Sequence, residues 1–323
     1  MIKKFIDLCQ SENILTAQKI VIAVSGGADS LALADLLYNV SRRFNLQLCI
    51  AHYEHGLRGQ DSLDDAAFVE EFAKNLNVKF FCEHGNVKQF AAENKISIET
   101  AARKLRYKFL NNVKRDLKFN AIALAHHADD QAETILMRLL RGATSAGLSA
   151  MKFSVNTEEY GLLIRPLLRF RKVELESYCA TRGITPRIDT TNFETDATRN
   201  KIRWELLPEL EKFNPNIVET LCRLSEVTAE ESNFIELEAE KIFRNVVTNQ
   251  LEILRGEFLK LHTALQRAVI KKFLAATTGI EDFGFVHFES VRKVLVNGLA
   301  GVELPHKFRA DLRKGKLIVR KNF

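Results

Sequence analysis

The sequence lacks the features of membrane, secreted and metal-rich proteins. No apolar run approaches the ~20 residues that a membrane-spanning helix needs, so no membrane partner is expected. The five cysteines are odd in number and widely spaced, without a Cys-x-x-Cys pair. This distribution is typical of buried thiols in a reducing compartment and argues against a disulfide framework or a metal cluster. We therefore expect a cytoplasmic protein.

The length of the chain indicates its number of domains, and its charge indicates a class of partner. Because single cores stop growing at ~250–300 residues, a chain of 323 residues is expected to form two domains. The net charge of +6 is compatible with a polyanionic partner. Residues 103–118 and 307–321 each carry seven Lys or Arg against one Asp, whereas residues 226–240 carry six Glu and no base. For each basic cluster, a nucleic-acid contact and a solvated face are both open interpretations.

The most informative stretch follows the first predicted strand. Residues 21–24 form a short apolar run that predicts a buried strand, and apolar residues at helical spacing from Leu33 onward predict a helix. Between them lies the loop Ser25-Gly26-Gly27-Ala28-Asp29-Ser30, which has no lysine and therefore is not a Walker loop. Its glycines let backbone N–H groups approach a ligand, so the loop suits a phosphate at a helix N-terminus. The alternative is an ordinary turn in which Asp29 or Ser30 caps the helix.

Strands alternate with helices through the first half of the chain. Further strands are predicted at 47–52, 78–82 and 121–125, separated by helical segments. This alternation predicts an α/β fold with a parallel sheet, in which ligands bind beyond the carboxyl ends of the strands. Ser25, His52 and His126 all follow strands and are expected at that edge.

A second polar stretch runs from Ala125 to Thr134. At helical spacing, Asp130 and Glu133 are one turn apart, so two carboxylates can converge on one cation. A capping box is the alternative interpretation of this spacing. The neighbouring histidines raise the question of zinc, but the spacing of zinc ligands is absent. Magnesium held by phosphates and one carboxylate, Asp29, is the favoured metal hypothesis.

Two basic segments are candidates for substrate binding. His55 and Arg58 follow the second predicted strand in the run His55-Gly56-Leu57-Arg58, for which a turn is the alternative. Arg103 and Arg106 share one face of a predicted helix, and an arginine pair suits phosphate because the guanidinium group can form two parallel hydrogen bonds. A solvated basic face is the alternative there.

The pattern changes near Phe213-Asn214-Pro215, where a proline marks a plausible boundary. Beyond it, the sequence predicts a helix of about 25 residues from 216, shorter helices near 262–276 and 285–297, and a β-rich basic tail. We therefore expect one domain at 1–215 and a second at 216–323, the latter smaller and mostly helical with an α+β architecture.

The Ser-Gly-Gly-x-Asp-Ser string resembles the PP-loop of the ATP pyrophosphatases, and the other motifs narrow the resemblance. In order they are His55-Gly56-Leu57-Arg58, residues 99–107, residues 125–134, Arg141-Gly142, Arg165-Pro166-Leu167-Leu168, and Asp189 with Asn192 followed by Arg199 to Arg203. Together they closely resemble the tRNA(Ile)-lysidine synthetase family over about residues 19–210. The resemblance implies an adenine nucleotide α-hydrolase-like fold with a parallel sheet. It also implies that residues 1–215 form a PP-loop ATP-pyrophosphatase catalytic domain and that residues 216–323 form an accessory tRNA-binding domain.

The resemblance also implies a reaction and roles for residues. ATP adenylates the wobble cytidine of a CAU-anticodon tRNA(Ile), and free L-lysine then replaces the activated oxygen to give lysidine. Asp29, Asp130 and Glu133 are the implied catalytic residues, with Asp29 on Mg²⁺ and Asp130 and Glu133 on lysine. The implied ATP-binding set is Ser25, Gly26, Gly27, Ala28, Asp29, Ser30, His52 and His126, and the implied substrate-binding set adds His55, Arg58, Arg103, Arg106, Arg199 and Arg203.

Other members of the PP-loop class stay open as alternatives. One is another tRNA-modifying enzyme such as a thiolase, and a second is an amidating ligase. A third is a nucleotide or tRNA binder without catalytic activity. The oligomeric state is left open by the sequence, with a homodimer as one option.

Overall fold

The computed structural model describes residues 1–16, 18–56, 60–187, 197–280 and 283–322. The chain divides into two compact units, the first made of Met1–Met137 and Ala150–Arg223 and the second of Arg138–Ser149 and Leu224–Phe323. The division after Arg223 falls inside a long helix, whereas the sequence suggests a boundary at 215. Each unit has its own sheet.

The first unit alternates strands and helices as the sequence predicts. Its strands are β1 (Lys19–Ala23), β2 (Gln47–Glu54), β3 (Lys79–His84), β4 (Ala121–Ala123), β5 (Ser154–Thr157) and β6 (Gly161–Ile164). Its helices are α1 (Ile2–Ser11), α2 (Ala28–Phe44), α3 (Gln60–Asn75), α4 (Val87–Asn94), α5 (Ile98–Asp116), α6 (Ala128–Leu140), α8 (Lys172–Thr181), α9 (Ala197–Lys201) and α10 (Leu207–Phe213), with the short α7 (Ser145–Leu148) in the segment assigned to the second unit.

The six strands form a sheet in the order β3-β2-β1-β4-β6-β5, with every pair parallel except β5 with β6. Along β1, Ile20 and Ile22 belong to one buried cluster with α1, α2 and α8, whereas Val21 belongs to another with α4 and α5. This alternation follows from the period of two in a strand, and it places helical layers on both faces of the sheet. The α/β prediction is confirmed.

The register of the strands brings their carboxyl ends to one edge. Ala23 of β1 pairs with Ala51 of β2, and Ile22 pairs with Ala123 of β4. The chain leaves β1 and β4 just beyond these pairs, at Ser25 and His126. The sheet therefore gathers the polar segments that are separated by about 100 positions in the sequence.

The helical segment before the second unit is irregular. It consists of α9, a π-helical turn at Ile202–Leu206, and α10. Pro208 lies in the first turn of α10 and has no N–H to donate to a preceding carbonyl, which accounts for an irregular turn before it. This turn carries Arg203, which belongs to the site described below.

The second unit packs helices against an antiparallel sheet. Its helices are α11 (Ile217–Val246, which begins in the first unit), α12 (Arg255–Leu259), α13 (Thr263–Thr278) and α14 (Phe285–Asn297), and its strands are β7 (Ile253–Leu254), β8 (Gly301–Leu304), β9 (Phe308–Arg313) and β10 (Lys316–Lys321). The sheet order is β7-β10-β9-β8. Phe273 and Val291 from the helices and Leu317 from β10 are fully buried in its core. The predicted α+β architecture is confirmed.

Hydropathy gives no sign of a bilayer-spanning segment. Over the described part of the chain, no helix combines the length and the apolar composition that crossing a membrane requires. The longest helix, α11, carries charged residues throughout.

Candidate active site

The loop between β1 and α2 is closed by its own serines. The Ser30 hydroxyl accepts a hydrogen bond from the Ser25 backbone N–H at 3.1 Å and donates to the Gly27 carbonyl at 2.9 Å, and the two hydroxyl oxygens lie 3.2 Å apart. Ser30 is buried and Ser25 is exposed. Ser30 therefore shapes the loop, while Ser25 is the serine that can reach a ligand.

Gly26 and Gly27 give the loop its anion-binding form. Gly26 has φ +95°, a conformation that L residues with a side chain rarely adopt. Gly27 is the N-cap residue of α2, and no side chain caps this helix end. The alternative in which Asp29 or Ser30 caps the helix is therefore not what the structure shows. The first N–H groups of a helix have no partner within the helix, and here they are left for an anion.

A cavity of about 390 Å³ opens at the carboxyl ends of β1, β2 and β4. It brings together ten of the residues singled out from the sequence, which are Ser25, Gly27, Asp29, Ser30, His52, His55, Arg106, His126, Asp130 and Arg203. Charged lining residues to which the sequence gave no role include Glu54, Asp65 and Lys172, and His127, considered there only for zinc, lines the cavity as well. Its lining is strongly polar, with carboxylates and cations interleaved.

His127 lies among three carboxylates. Its Nε2 is 3.5 Å from Asp29 Oδ2 and 3.4 Å from Asp130 Oδ2, and its Nδ1 is 3.4 Å from Asp129 Oδ2. Burial by itself lowers the pKa of His127, but the attraction of Asp130, Asp129 and Asp29 outweighs burial and raises the pKa to about 10. The imidazolium thus balances the negative charge on this side of the cavity.

His126 has the opposite character although it is the adjacent residue. Burial lowers the pKa of His126 to about 3, and nearby arginines, among them Arg165 and Arg106, add to the lowering against the opposing effect of Asp130. Its Nδ1 is buried and makes no hydrogen bond within the described structure. A neutral imidazole with an unpaired nitrogen is suited to bind a ligand group.

Glu133 is the anchor for two arginines. Its carboxylate is 1% exposed, with Arg199 Nε at 2.7 Å from Oε2 and Arg203 Nε at 2.5 Å from Oε1. The same guanidinium groups reach Asp130 Oδ1 at 3.4 and 3.5 Å. Asp130 and Glu133 do converge on cations, as their spacing predicts, and in this structure the cations are guanidinium groups. Asp130 and Arg203 face the cavity, whereas Glu133 is closed off from it.

Arg106 enters the cavity from α5, whereas Arg103 on the same helix is exposed. Both guanidinium groups lie over the ring of Tyr107, with 4.8 Å from Arg103 and 5.6 Å from Arg106 to the ring centroid. Burial lowers the pKa of Arg106, and its Nε has no hydrogen-bond partner within the described residues. An anionic ligand would supply that partner.

The second strand delivers His52 and His55 to the same edge. His52 is buried and its Nδ1 lies 2.9 Å from the Val24 carbonyl, so this ring links β2 to the start of the loop. His55 lines the cavity, with its ring 5.1 Å from that of Tyr53. Arg58 lies outside the described residues, as do Asp189 and Asn192.

Asp29 is the residue of the loop that could hold a magnesium ion. Its Oδ1 is buried and has no hydrogen-bond partner in the described structure, so it can accept a cation. Within the described residues, no group of three or more His, Cys, Asp or Glu side chains is placed to hold a metal ion alone. This arrangement fits Mg²⁺, which is commonly bound by one or two carboxylates together with substrate phosphates.

Comparison with known proteins adds family information. A family profile described as a PP-loop domain matches residues 1–210. The chain is 39% identical over 296 residues to a tRNA(Ile)-lysidine synthase of Clostridium perfringens, covering 90% of this chain and 62% of that protein. It is 34% identical over 333 residues to a tRNA(Ile)-lysidine synthase of Caldanaerobacter subterraneus, covering 99% of this chain and 69% of that protein. The chain thus spans less than two thirds of the length of the Clostridium protein.

A solved structure supports the fold. The U34-tRNA thiolase NcsA from Methanococcus maripaludis with its [4Fe-4S] cluster superposes with a TM-score of 0.58 at 21% identity, covering 71% of this chain and 78% of that chain. At this identity the likeness concerns the fold alone.

Proposed function

Because this chain belongs to the PP-loop family and, within it, to the tRNA(Ile)-lysidine synthases, we propose that it is an ATP-dependent carbon–nitrogen ligase that forms lysidine. The substrates are a tRNA(Ile) with a CAU anticodon, ATP and free L-lysine. The products are tRNA with lysidine at the wobble position, AMP and pyrophosphate. The curated relatives do not favour a thiolase or an amidating ligase.

In the first proposed step, the O2 carbonyl oxygen of the cytidine attacks the α-phosphorus of ATP. The bond to the β-phosphate oxygen breaks, and pyrophosphate leaves with the electron pair. The backbone N–H groups at the start of α2 and the Ser25 hydroxyl bind the phosphates, which is supported by the uncapped N-terminus at Gly27. His126 and Arg106 contribute further contacts to the nucleotide or the reacting base, because both have an unpaired buried nitrogen. His52 lies at the same edge of the sheet, where the adenosine half can bind.

We propose that Asp29 holds Mg²⁺ at this step. The unpaired Oδ1 of Asp29 supports this role. When bound, Mg²⁺ neutralises phosphate charge and favours departure of pyrophosphate. His127 keeps Asp29, Asp129 and Asp130 together by its positive charge.

In the second proposed step, the ε-amino group of lysine attacks C2 of the adenylated base, and AMP leaves. Of Asp130 and Glu133, only Asp130 faces the cavity, and we propose that it binds the lysine ammonium and accepts a proton from it. Glu133 binds lysine in the same hypothesis only if a guanidinium group leaves its carboxylate. In the arrangement described here, its role is to position Arg199 and Arg203 for the adenylate or the tRNA.

The tRNA is proposed to approach over α5. Arg103, Lys104 and Lys108 are exposed on this helix, and Arg106 leads from it into the cavity. Such contacts to phosphates would make tRNA binding depend strongly on salt. The second unit, with its basic segment 307–321, is proposed as an accessory tRNA-binding domain. We place the reaction in the cytoplasm.

One observation carries this proposal: a loop built for phosphate and a carboxylate suited to an amine, Asp130, line one cavity. The test is pyrophosphate release from ATP with CAU-anticodon tRNA(Ile), compared with methionine tRNA that bears the same anticodon. We expect release with the isoleucine tRNA only. Equal release with both tRNAs, or release without any tRNA, would argue against the proposed substrate.

A further inference from the structure

The phosphate-binding loop has no lysine of its own, yet one lysine lines the cavity beside it. Between Ser25 and Ser30 the loop carries no cationic side chain, so its contacts to phosphate come from N–H and hydroxyl groups. Lys172, the first residue of α8, lines the same cavity as Ser25, Gly27 and Asp29. The fold thus supplies from a distant segment the charge that the loop lacks.

The start of α8 is fixed by neighbouring carboxylates. The Lys172 backbone N–H donates to Asp129 Oδ2 at 2.7 Å. Arg171 contacts Asp129 at 3.0 Å, Glu211 at 2.9 Å and Glu219 at 3.3 Å. These contacts outweigh the effect of burial and raise the pKa of Arg171. Because Asp129 also holds His127, the backbone of Lys172 is tied directly to the acidic side of the cavity.

The Lys172 ammonium group is not committed to a strong partner within the described structure. Its nearest carboxylate oxygen, Glu176 Oε1, lies 4.0 Å away, which is too far for a hydrogen bond. Among the other cations of the lining, Arg203 binds Glu133 and His127 lies among three carboxylates, whereas Arg106 lies over the ring of Tyr107. Arg106 and Lys172 are therefore the lining cations available to a polyanion, and the compact charge of Lys172 on a flexible stem suits terminal phosphates.

We propose that Lys172 binds the pyrophosphate half of ATP and stabilises pyrophosphate as it leaves. The inference rests on the proposed function for the identity of the leaving group. As the bond between the α-phosphorus and the bridging oxygen breaks, the electron pair goes to that oxygen, and the ammonium group offsets the growing charge on pyrophosphate. No proton is transferred in this step, because the side chain acts through its charge alone.

The experiment measures binding of pyrophosphate, ATP and AMP by titration calorimetry in the presence of Mg²⁺, without tRNA and without lysine. The variants are Lys172→Met, Lys172→Arg as the charge-retaining variant, and Lys88→Met as an exposed lysine on α4 outside the cavity. We expect Lys172→Met to weaken binding of pyrophosphate and ATP by about 10- to 100-fold and to leave AMP binding unchanged. Lys172→Arg retains most of the affinity, and Lys88→Met matches the parent protein.

Unchanged pyrophosphate affinity in Lys172→Met would overturn the inference, and so would an equal loss of AMP and pyrophosphate binding. A thermal unfolding curve of each variant, matched to the parent, ensures that a loss of binding is not a loss of fold. The result is separable from the proposed function, because it needs no acceptor. If the parent protein binds pyrophosphate through Lys172 but forms no lysidine, the inference holds and the proposed reaction fails. If lysidine forms and Lys172→Met retains full pyrophosphate affinity, the proposed reaction holds and the inference about Lys172 fails.

Discussion

Arg203 Nε lies 2.5 Å from Oε1 of Glu133, across 70 positions of the sequence. The pair joins the π-helical turn at Ile202–Leu206 to the start of α6. Arg203 lines the cavity, whereas Glu133 is 1% exposed. The buried carboxylate therefore acts on the site through the guanidinium group that it holds.

This pair predicts a strong energetic coupling. Arg203→Met leaves the buried Glu133 with Arg199 alone, and we expect the free energy of unfolding to fall by about 2 kcal/mol. Glu133→Gln should cost a similar amount, because it leaves two guanidinium groups without their main partner. The double variant should lose less than the sum of the single losses, by about 1–2 kcal/mol. Urea unfolding of the four proteins measures the coupling, and strictly additive losses would show that the contact is unimportant.

Asp130 is expected to determine lysine affinity. Asp130→Asn removes the charge that attracts the lysine ammonium, so KM for lysine should rise by about 10- to 100-fold while KM for ATP changes little. The matched control is Asp116→Asn, since Asp116 is an exposed carboxylate at the end of α5, with 69% of its side chain accessible. Steady-state kinetics with varied lysine and varied ATP separate the two effects. A variant that loses ATP affinity but keeps lysine affinity would reassign Asp130 to the nucleotide.

A side chain at Gly26 is expected to lower both stability and ATP affinity, because of the backbone conformation there. An added Cβ would lie 3.6 Å from Val69 Cγ2, an ordinary contact, so the penalty of Gly26→Ala comes from φ +95°. We expect a loss of about 1 kcal/mol or more in stability together with weaker ATP binding. Gly279→Ala is the matched control, because Gly279 has φ +70° and open space but lies in the second unit. It should lose similar stability without a change in ATP affinity, and a parallel loss of ATP affinity would remove the special role of the loop.

His127 predicts a dependence of stability on pH. Its pKa is raised to about 10 in the folded protein from an ordinary value of 6.5. Its stabilising contribution is therefore fully present below pH ~6.5 and is lost as the pH rises through 10. Urea unfolding of parent and His127→Gln in EDTA should show an advantage of the parent that shrinks between about pH 7 and pH 10. A constant difference over this range would mean that His127 is not the titrating group.

The strand-to-helix connections were predictable because their causes are local. The β-branched run at 21–24 and the small residues after it specify β1 and the phosphate-binding loop, and the register of a parallel sheet then places His126 at the same edge. The edge of the sheet, and with it most of the cavity lining, follows from these few rules.

The partners of the carboxylates were not predictable in the same way. Arg199 and Glu133 are 66 positions apart, and no local sequence pattern predicts a contact between them. For His127 the sequence raised only the question of zinc, because its contacts depend on three carboxylates that the fold assembles. Lys172 belongs to an ordinary helical segment, and the cavity alone distinguishes it from other lysines.

The most direct test is incorporation of labelled lysine into unmodified CAU-anticodon tRNA(Ile) with ATP and Mg²⁺. We expect one labelled lysine per tRNA, found in the wobble nucleoside after digestion, and no label with Asp29→Ala or when ATP is omitted. A protein that splits ATP but leaves the tRNA unlabelled, or an Asp29→Ala variant that labels tRNA as well as the parent, would contradict the proposed reaction.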